Sequence, residues 1–238
     1  MQAIQKDKEI WVLPSPPIVA VRVKGLATHY RWWHFPVAKG QVKEEAQRKF
    51  KMDLASMFSQ IAQITDHLFL SSAAAVRGDK VRSLGITNII NITLDIPNLQ
   101  LPNVECIQIH VDDTPSAHLA VYFDRCADKI NQVQRSGGRT LVHCVAGVSR
   151  SASICLAYLM KYHNMPLDEA YRYVKRRRSI IHPNVGFFRQ LIDYEKRLFG
   201  RNTVKMVQSS VGPIPDIYKK ETENMVWLPG NRSHHYGY

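Results

Sequence analysis

The sequence predicts a layered α/β fold, in which a central sheet carries helices on both of its faces. Strand-type apolar runs alternate with segments whose apolar residues recur at helical spacing. Glycines stand where several of the predicted helices should end, at Gly85, Gly137 and Gly200. A chain of 238 residues is long enough to bury one hydrophobic core of ordinary size.

The elements can be predicted in order along the chain. Short strands are predicted over residues 62–65, 67–70, 88–92, 105–111 and 140–143. Helices are predicted over residues 72–84, 119–134, 151–162, 167–177 and 185–199. Residues 58–200 should therefore form the folded domain. Residues 1–57 are expected to be a poorly ordered or loosely packed extension, and residues 201–238 a surface tail.

The segment His143–Ser151 combines a cysteine, a glycine and an arginine between a predicted strand and a predicted helix. In such a loop, backbone N–H groups point into one concavity and, with the helix dipole, form a site for an anion such as phosphate. The same field favours a thiolate, which makes Cys144 a candidate nucleophile. Arg150 can hold two phosphate oxygens with its planar guanidinium.

Other residues of this segment have supporting roles. Ser151 can donate a hydrogen bond to the sulfur as it leaves, and His143 is expected to orient the loop and tune the thiol. Gly147 allows a tight turn close to the anion. The predicted phosphate-binding loop is completed by Val145, Ala146, Val148 and Ser149. The alternative is a buried cysteine in an ordinary turn, which the coincidence of five constrained positions disfavours.

A second chemical group is needed, because cleavage of a phosphate ester leaves an alkoxide or phenoxide that an acid must protonate. Asp112 and Asp113 follow a predicted strand and begin a loop. Either could be this acid, or both could be solvated loop carboxylates. Asn184, after Pro183, is expected to support the site through hydrogen bonds, or only to begin a helix.

The segment His143–Ser151 resembles the protein tyrosine phosphatase signature HCxxGxxR[ST], in the HCxAGxSRSA form typical of dual-specificity phosphatases. The resemblance covers about residues 58–220 and includes the segments Leu68–Leu70, Pro183–Phe187 and Arg189–Glu195. It is to the small atypical members of that family. It implies the protein tyrosine phosphatase-like fold, with a twisted mixed sheet of about five strands.

The resemblance also implies an activity. Such enzymes hydrolyse phosphotyrosine and phosphoserine or phosphothreonine through a phosphocysteine intermediate, and their implied substrates are MAP kinases or upstream signalling proteins. Asp113 becomes the better candidate for the acid, because the family places it two residues before a proline. Asp112 remains the fallback. No metal or cofactor is expected, because an arginine and backbone amides already neutralise the transferring phosphoryl group.

Three other functions remain open. A catalytically weak phosphate-binding scaffold would keep the loop but would commonly lack one of the reactive residues. A phosphoinositide phosphatase often has lysines inside the loop, where this chain has Val145, Ala146 and Val148. An RNA 5′-triphosphatase should carry polar residues there.

Composition limits the partners and the compartment. The net charge of +12 suits acidic phosphopeptides, and the run Lys175–Arg178 either attracts such substrates or is a solvated helix end. No nucleic-acid motif and no apolar run long enough to span a membrane is recognised. Four cysteines without metal-ligand spacing indicate a reducing compartment, so cytoplasm and nucleus are expected. A mitochondrial presequence within the extension stays open.

Overall fold

The computed structural model describes residues 8–14, 17–23, 31–34, 56–209 and 212–219. The chain divides into two compact units, Met1–Lys39 with Ile217–Tyr238 and Gly40–Asp216. In the first unit an antiparallel sheet is formed by β1 (Lys8–Pro14), β2 (Pro17–Val23) and β3 (Arg31–His34), with β2 in the middle. The rest of the extension predicted over residues 1–57, apart from residues 56 and 57, lies outside the described residues.

The second unit is built on a mixed sheet of five strands, as predicted. These are β4 (Ala62–Gln63), β5 (Leu68–Ser72), β6 (Asn88–Asn91), β7 (Glu105–Gln108) and β8 (Thr140–Cys144). Their order across the sheet is β4-β5-β8-β6-β7. Only β4 is antiparallel to its neighbour, and all other pairs are parallel. The chain thus places β8 at the centre, between strands that precede it in sequence.

Besides a helical turn at residues 56–59, the described residues of this unit form five helices. They are α1 (Gly78–Ser83), α2 (Phe123–Arg135), α3 (Arg150–His163), α4 (Leu167–Arg177) and α5 (Val185–Phe199). The helix predicted over residues 72–84 is much shorter than expected. Strand β5 continues to Ser72, a 3₁₀ turn occupies Ala73–Ala75, and extended backbone at Val76 and Arg77 separates this turn from α1.

The two faces of the sheet are covered by different helices, because successive strand residues point to opposite sides. On one face Phe69, Ile89 and Leu141 pack with Val81 of α1. On the other face Ile90 lies beside α2. Helix α3 is the most deeply buried of the helices, and every residue from Arg150 to Met160 is buried. The protein tyrosine phosphatase-like arrangement predicted from the resemblance is therefore present.

The segment predicted as a tail after residue 200 begins with ordered structure. An antiparallel hairpin is formed by β9 (Met206–Ser209) and β10 (Gly212–Pro215), and Val204 and Ile214 are buried. The prolines and glycines of residues 201–238 indicated a surface tail, but a two-stranded ribbon has free edges at which proline is tolerated. No helix among the described residues is long and apolar enough to cross a membrane.

Candidate active site

The strand–loop–helix segment predicted around Cys144 lies at the centre of the sheet. Cys144 is the last residue of β8, and α3 begins at Arg150, so residues 145–149 form the loop between them. We call residues 144–150 the Cys144 loop. It opens at the carboxyl ends of the parallel strands, which is the edge where α/β folds bind ligands.

The peptide groups of the Cys144 loop share one orientation. The carbonyls of residues 145–148 all accept hydrogen bonds from outside the loop, over distances of 2.8–3.2 Å. The donors are the backbone N–H groups of Ala73 and His182 and the guanidinium of Arg178. A trans peptide group is planar, with its C=O and N–H antiparallel, so the N–H groups of residues 146–149 point away from these donors. This arrangement suits a concavity that binds an anion beside the N-terminus of α3.

Gly147 is required by the tight approach of this loop to the neighbouring strand. Its φ is +67°, and a Cβ there would overlap the backbone carbonyl group of Ser71 in β5. A side chain at this position would therefore displace either the loop or the strand.

Cys144 is almost fully buried, and its sulfur accepts two hydrogen bonds. The backbone N–H of Gly147 and the Oγ of Ser151 each donate to Sγ over 3.2 Å. Burial alone would raise the pKa of the Cys144 thiol. The charge of Arg150 and the hydrogen bonds from Ser151 outweigh burial and the opposing charge of Asp113, so the pKa is lowered. By contrast, burial raises the pKa of Cys126 to about 12.

Arg150 lies beside this sulfur, and the protein uses only some of the N–H donors of its guanidinium. Its side chain is 2% exposed, and one Nη donates to the carbonyl of Val111 over 3.0 Å. Its buried Nε has no hydrogen-bond partner among the described residues and lies 3.5 Å from Oδ2 of Asp113. A bound phosphate would supply the missing acceptor, since the guanidinium fork matches two oxygens of such a group.

Asp113 is held at the same opening by two donors. Its Oδ1 accepts from Ser149 Oγ over 2.7 Å and from Asn184 Nδ2 over 2.9 Å. Asp112, the fallback candidate, instead accepts the backbone N–H of Asp113 on its Oδ1 over 2.8 Å. Among the described residues, Asp113 rather than Asp112 contacts the Cys144 loop, so the geometry favours it as the acid.

The N-terminus of α5 supports Asp113 from behind. Asn184 caps this helix, because its Oδ1 accepts the N–H of Phe187 over 2.9 Å while its Nδ2 holds Asp113. Gly186 lets the helix approach the loop after Asp113, since a Cβ there would overlap the carbonyl of Pro115. The sequence left open whether Asn184 begins a helix or supports the site, and its side chain does both.

His143 precedes the nucleophile within β8 and is buried, with 3% of its surface exposed. Burial lowers its pKa to about 4, so the ring is neutral at pH 7. Its Nδ1 has no close hydrogen-bond partner among the described residues. A neutral ring cannot attract a thiolate by charge, but a hydrogen bond with the backbone of Cys144, which raises the pKa of His143 slightly against burial, links the two residues.

One residue of the site was misjudged from the sequence. The run Lys175–Arg178 was expected on the surface, but Arg178 is 2% exposed and donates to the carbonyls of Ala146 and Gly147. The sequence spacing could have predicted that Arg178 is buried. The buried residues of α4 are Leu167, Ala170, Tyr171 and Val174, and position 178 continues their helical spacing. Arg176 and Arg177 are exposed, as a solvated helix end requires.

Known proteins resemble this chain over the same region. Residues 68–197 match the family model "Dual specificity phosphatase, catalytic domain". Dual specificity protein phosphatase 14 of Homo sapiens is 53% identical over 167 residues, which cover 70% of this chain and 84% of that protein. Dual specificity protein phosphatase 18 of Homo sapiens is 48% identical over 171 residues, covering 71% and 91% respectively. The crystal structure of human DUSP28 has a TM-score of 0.56 at 34% identity, covering 58% of this chain and 94% of that one.

Proposed function

Because this chain belongs to the dual-specificity protein phosphatases, we propose that Cys144, Arg150 and Asp113 are its catalytic residues. The enzyme is a cysteine-dependent protein phosphatase that hydrolyses phosphotyrosine and phosphoserine or phosphothreonine. The observation that carries the assignment of residues is the sulfur itself. A buried thiol with a lowered pKa accepts two hydrogen bonds within a loop whose amides form an anion site.

In the first step the thiolate of Cys144 attacks phosphorus, so an S–P bond forms while the P–O bond to the leaving group breaks. Arg150 and the amides of the Cys144 loop hold the other three phosphate oxygens. Asp113 gives its proton to the leaving oxygen. That proton resides on Oδ2, because Oδ1 already accepts from Ser149 and Asn184.

In the second step water attacks the phosphocysteine, and the Asp113 carboxylate takes up its proton. The S–P bond breaks and the thiolate leaves. The hydroxyl of Ser151 stabilises the returning negative charge, because it donates to Sγ over 3.2 Å. Inorganic phosphate departs, and both Cys144 and Asp113 regain their starting protonation states.

Substitution of the nucleophile tests this assignment. Cys144→Ser should abolish turnover of an aryl phosphate, because a serine hydroxyl is far less ionised at neutral pH. Cys155→Ser is the matched control, since Cys155 is also buried and burial raises its pKa. The control should retain turnover and wild-type thermal stability. Full activity of Cys144→Ser, with no contaminating phosphatase, would exclude Cys144 as the nucleophile.

The proposed substrates are MAP kinases or related signalling proteins, attacked at their phosphorylated activation loops. Two features support this class. The apolar Val145 and Val148 offer nothing to the extra phosphates of inositol lipids. Arg176 and Arg177 are exposed at the end of α4, so their charges can attract acidic residues of a substrate.

Peptide kinetics can test this substrate class. A doubly phosphorylated activation-loop peptide should lose both phosphates, and added salt should lower kcat/KM through screening. Arg176→Gln with Arg177→Gln should reduce kcat/KM for this peptide but not for a small aryl phosphate. Arg135→Gln is the control, because Arg135 is exposed at the end of α2 and precedes the start of β8, whereas the Cys144 loop follows the end of that strand. Efficient hydrolysis of inositol lipids in vesicles, with both phosphopeptides untouched, would favour the lipid alternative.

The proposed location is the cytoplasm, with the nucleus as a second site where such kinases also act. All four cysteines are free thiols, and a thiolate nucleophile must stay reduced to work. Imaging of the full chain with a carboxyl-terminal fluorescent tag tests this location. Accumulation in mitochondria would contradict it and would assign targeting information to the extension before residue 58.

A further inference from the structure

Arg178 is a buried cation at the back of the Cys144 loop. We propose that it is a positioning residue, which orients two peptide groups of that loop so that their N–H groups face the sulfur and the substrate phosphate. It would also join the Cys144 loop to the segment Met57–Gln60. This inference rests on the proposed role of Cys144 as the nucleophile.

The orientation follows from two hydrogen bonds. Arg178 Nη2 donates to the carbonyl of Ala146 over 3.1 Å, and the N–H of the same peptide group, on Gly147, donates to Sγ of Cys144 over 3.2 Å. Arg178 and the sulfur thus hold opposite ends of one planar peptide group. A cation at the carbonyl end polarises that group and strengthens the hydrogen bond at its other end.

The neighbouring peptide group is held in the same way. Arg178 Nε donates to the carbonyl of Gly147 over 2.8 Å, so the N–H of Val148 points away from Arg178. No protein acceptor for that N–H is known among the described residues. An oxygen of the substrate phosphate can accept it. One side chain therefore fixes the direction of two consecutive donors.

Among the described residues, no carboxylate forms an ion pair with the buried guanidinium of Arg178. Burial lowers the pKa of its guanidinium to about 10, whereas the charges of Cys144 and Cys155 raise it. A buried cation is costly unless its surroundings compensate it. Carbonyl dipoles supply part of the compensation, and a thiolate at Cys144 supplies negative charge only in the reactive state.

The rest of the guanidinium reaches the chain that enters the domain. Nη1 donates to the carbonyl of Gln60 over 2.9 Å and to that of Met57 over 3.3 Å. Ser72, which pairs with Cys144 across the sheet, donates its hydroxyl to the carbonyl of Phe58. The segment Met57–Gln60 is therefore hydrogen-bonded to two residues that contact or pair with the Cys144 loop, Arg178 and Ser72. Only a planar fork with donors on several nitrogens can contact four carbonyls at once.

Two substitutions separate the charge of Arg178 from its geometry. Arg178→Met removes both, whereas Arg178→Lys keeps the charge but cannot reach four carbonyls. Arg176→Met is the matched control, since it removes the same charge from the exposed end of α4. For each variant we would measure the pH dependence of Cys144 alkylation by iodoacetamide, the inhibition constant of inorganic phosphate and the thermal unfolding curve.

In Arg178→Met the alkylation midpoint of Cys144 should move to higher pH by about one pH unit, because an attracting charge is lost. Phosphate should bind about tenfold more weakly, as expected when oriented hydrogen bonds are lost. Arg178→Lys should keep the wild-type midpoint and still bind phosphate more weakly. Arg176→Met should match the wild type in both measurements.

The outcomes distinguish the inference from the function on which it rests. An ordinary thiol midpoint in the wild type would remove the nucleophile assignment itself. A low wild-type midpoint, with Arg178→Met folded and unchanged in both measurements, would overturn only the role of Arg178. If Arg178→Met does not fold, Arg178→Lys decides: full phosphate affinity in that variant overturns the proposal, and weakened affinity with an unchanged midpoint supports it.

Discussion

Among the described residues, the side chain of Asn184 makes two hydrogen bonds, and substitutions can remove one or both of them. Its Oδ1 caps α5 by accepting the N–H of Phe187, and its Nδ2 donates to Oδ1 of Asp113, both over 2.9 Å. Serine caps a helix about as well as asparagine, but its short side chain cannot also reach Asp113. Asn184→Ser should therefore remove only the support of the acid, whereas Asn184→Ala should remove the cap as well.

The magnitudes differ between stability and activity. Loss of an N-cap costs about 1 kcal/mol, which should lower the Tm of Asn184→Ala by about 2–4 °C in a domain of this size. A hydrogen bond to a charged group contributes about 1.5–3 kcal/mol. Ser149 still donates to the same carboxylate oxygen, so we expect the lower end, a loss of about tenfold in kcat.

The assay compares two substrates and one unfolding curve. Both variants should lose about tenfold in kcat with phenyl phosphate, whose leaving group needs a proton, and less with 4-nitrophenyl phosphate. Only Asn184→Ala should lose Tm. The reasoning fails if Asn184→Ser hydrolyses both substrates at the wild-type rate, or if it loses Tm as much as Asn184→Ala does.

Three further substitutions should have separate effects. Asp113→Asn should slow phosphoenzyme formation by about 10²–10⁴-fold, measured by single-turnover kinetics, and a larger loss in Asp112→Asn would move the acid to that residue. The second substitution is at Asp124. Burial raises the pKa of Asp124, but hydrogen bonds from Lys161, Arg197 and Tyr194 outweigh burial and lower the pKa to about 2. A lowered pKa stabilises the fold above the unfolded value of 3.8 and ceases to do so as the pH falls towards 2. Asp124→Asn should therefore lower Tm at pH 7, with the difference from the wild type closing below pH 4, whereas a constant difference in Tm scans would contradict this linkage. Gly147→Ala should abolish phosphate binding, measured by calorimetry, because its Cβ overlaps the backbone of Ser71; wild-type affinity would show that the loop can shift without loss.

The sequence predicted best what is local along the chain. The Cys144 loop spans a few consecutive residues, so a strand, a turn with glycine and a helix start could be read together. The sheet and four of the five predicted helices followed from periodicity. The predicted helix over residues 72–84 was wrong for a tertiary reason: β5 pairs with β8 as far as Ser72 opposite Cys144, and this pairing extends the strand into the predicted helix.

Contacts between distant segments could not be predicted in this way. Ser149 and Asp113 are 36 positions apart, and Asn184 and Asp113 are 71 apart. Their hydrogen bonds depend on the packing of α5 against the loop after Asp113, where Gly186 touches Pro115. The family resemblance indicated Asp113 as a candidate, but patterns in a single sequence do not predict how close two such distant segments lie in the fold.

Ser149 shows why these distant contacts matter for the chemistry. Its Oγ accepts the backbone N–H of Asn184 over 3.0 Å, so its own hydrogen is left to donate to Asp113 Oδ1. The direction of that hydrogen stays the same whether Asp113 is protonated or ionised. Oδ1 therefore remains an acceptor in both states, and only Oδ2 gains or loses the proton. A fixed proton position suits the role proposed for Asp113, as acid in one step and as base in the next.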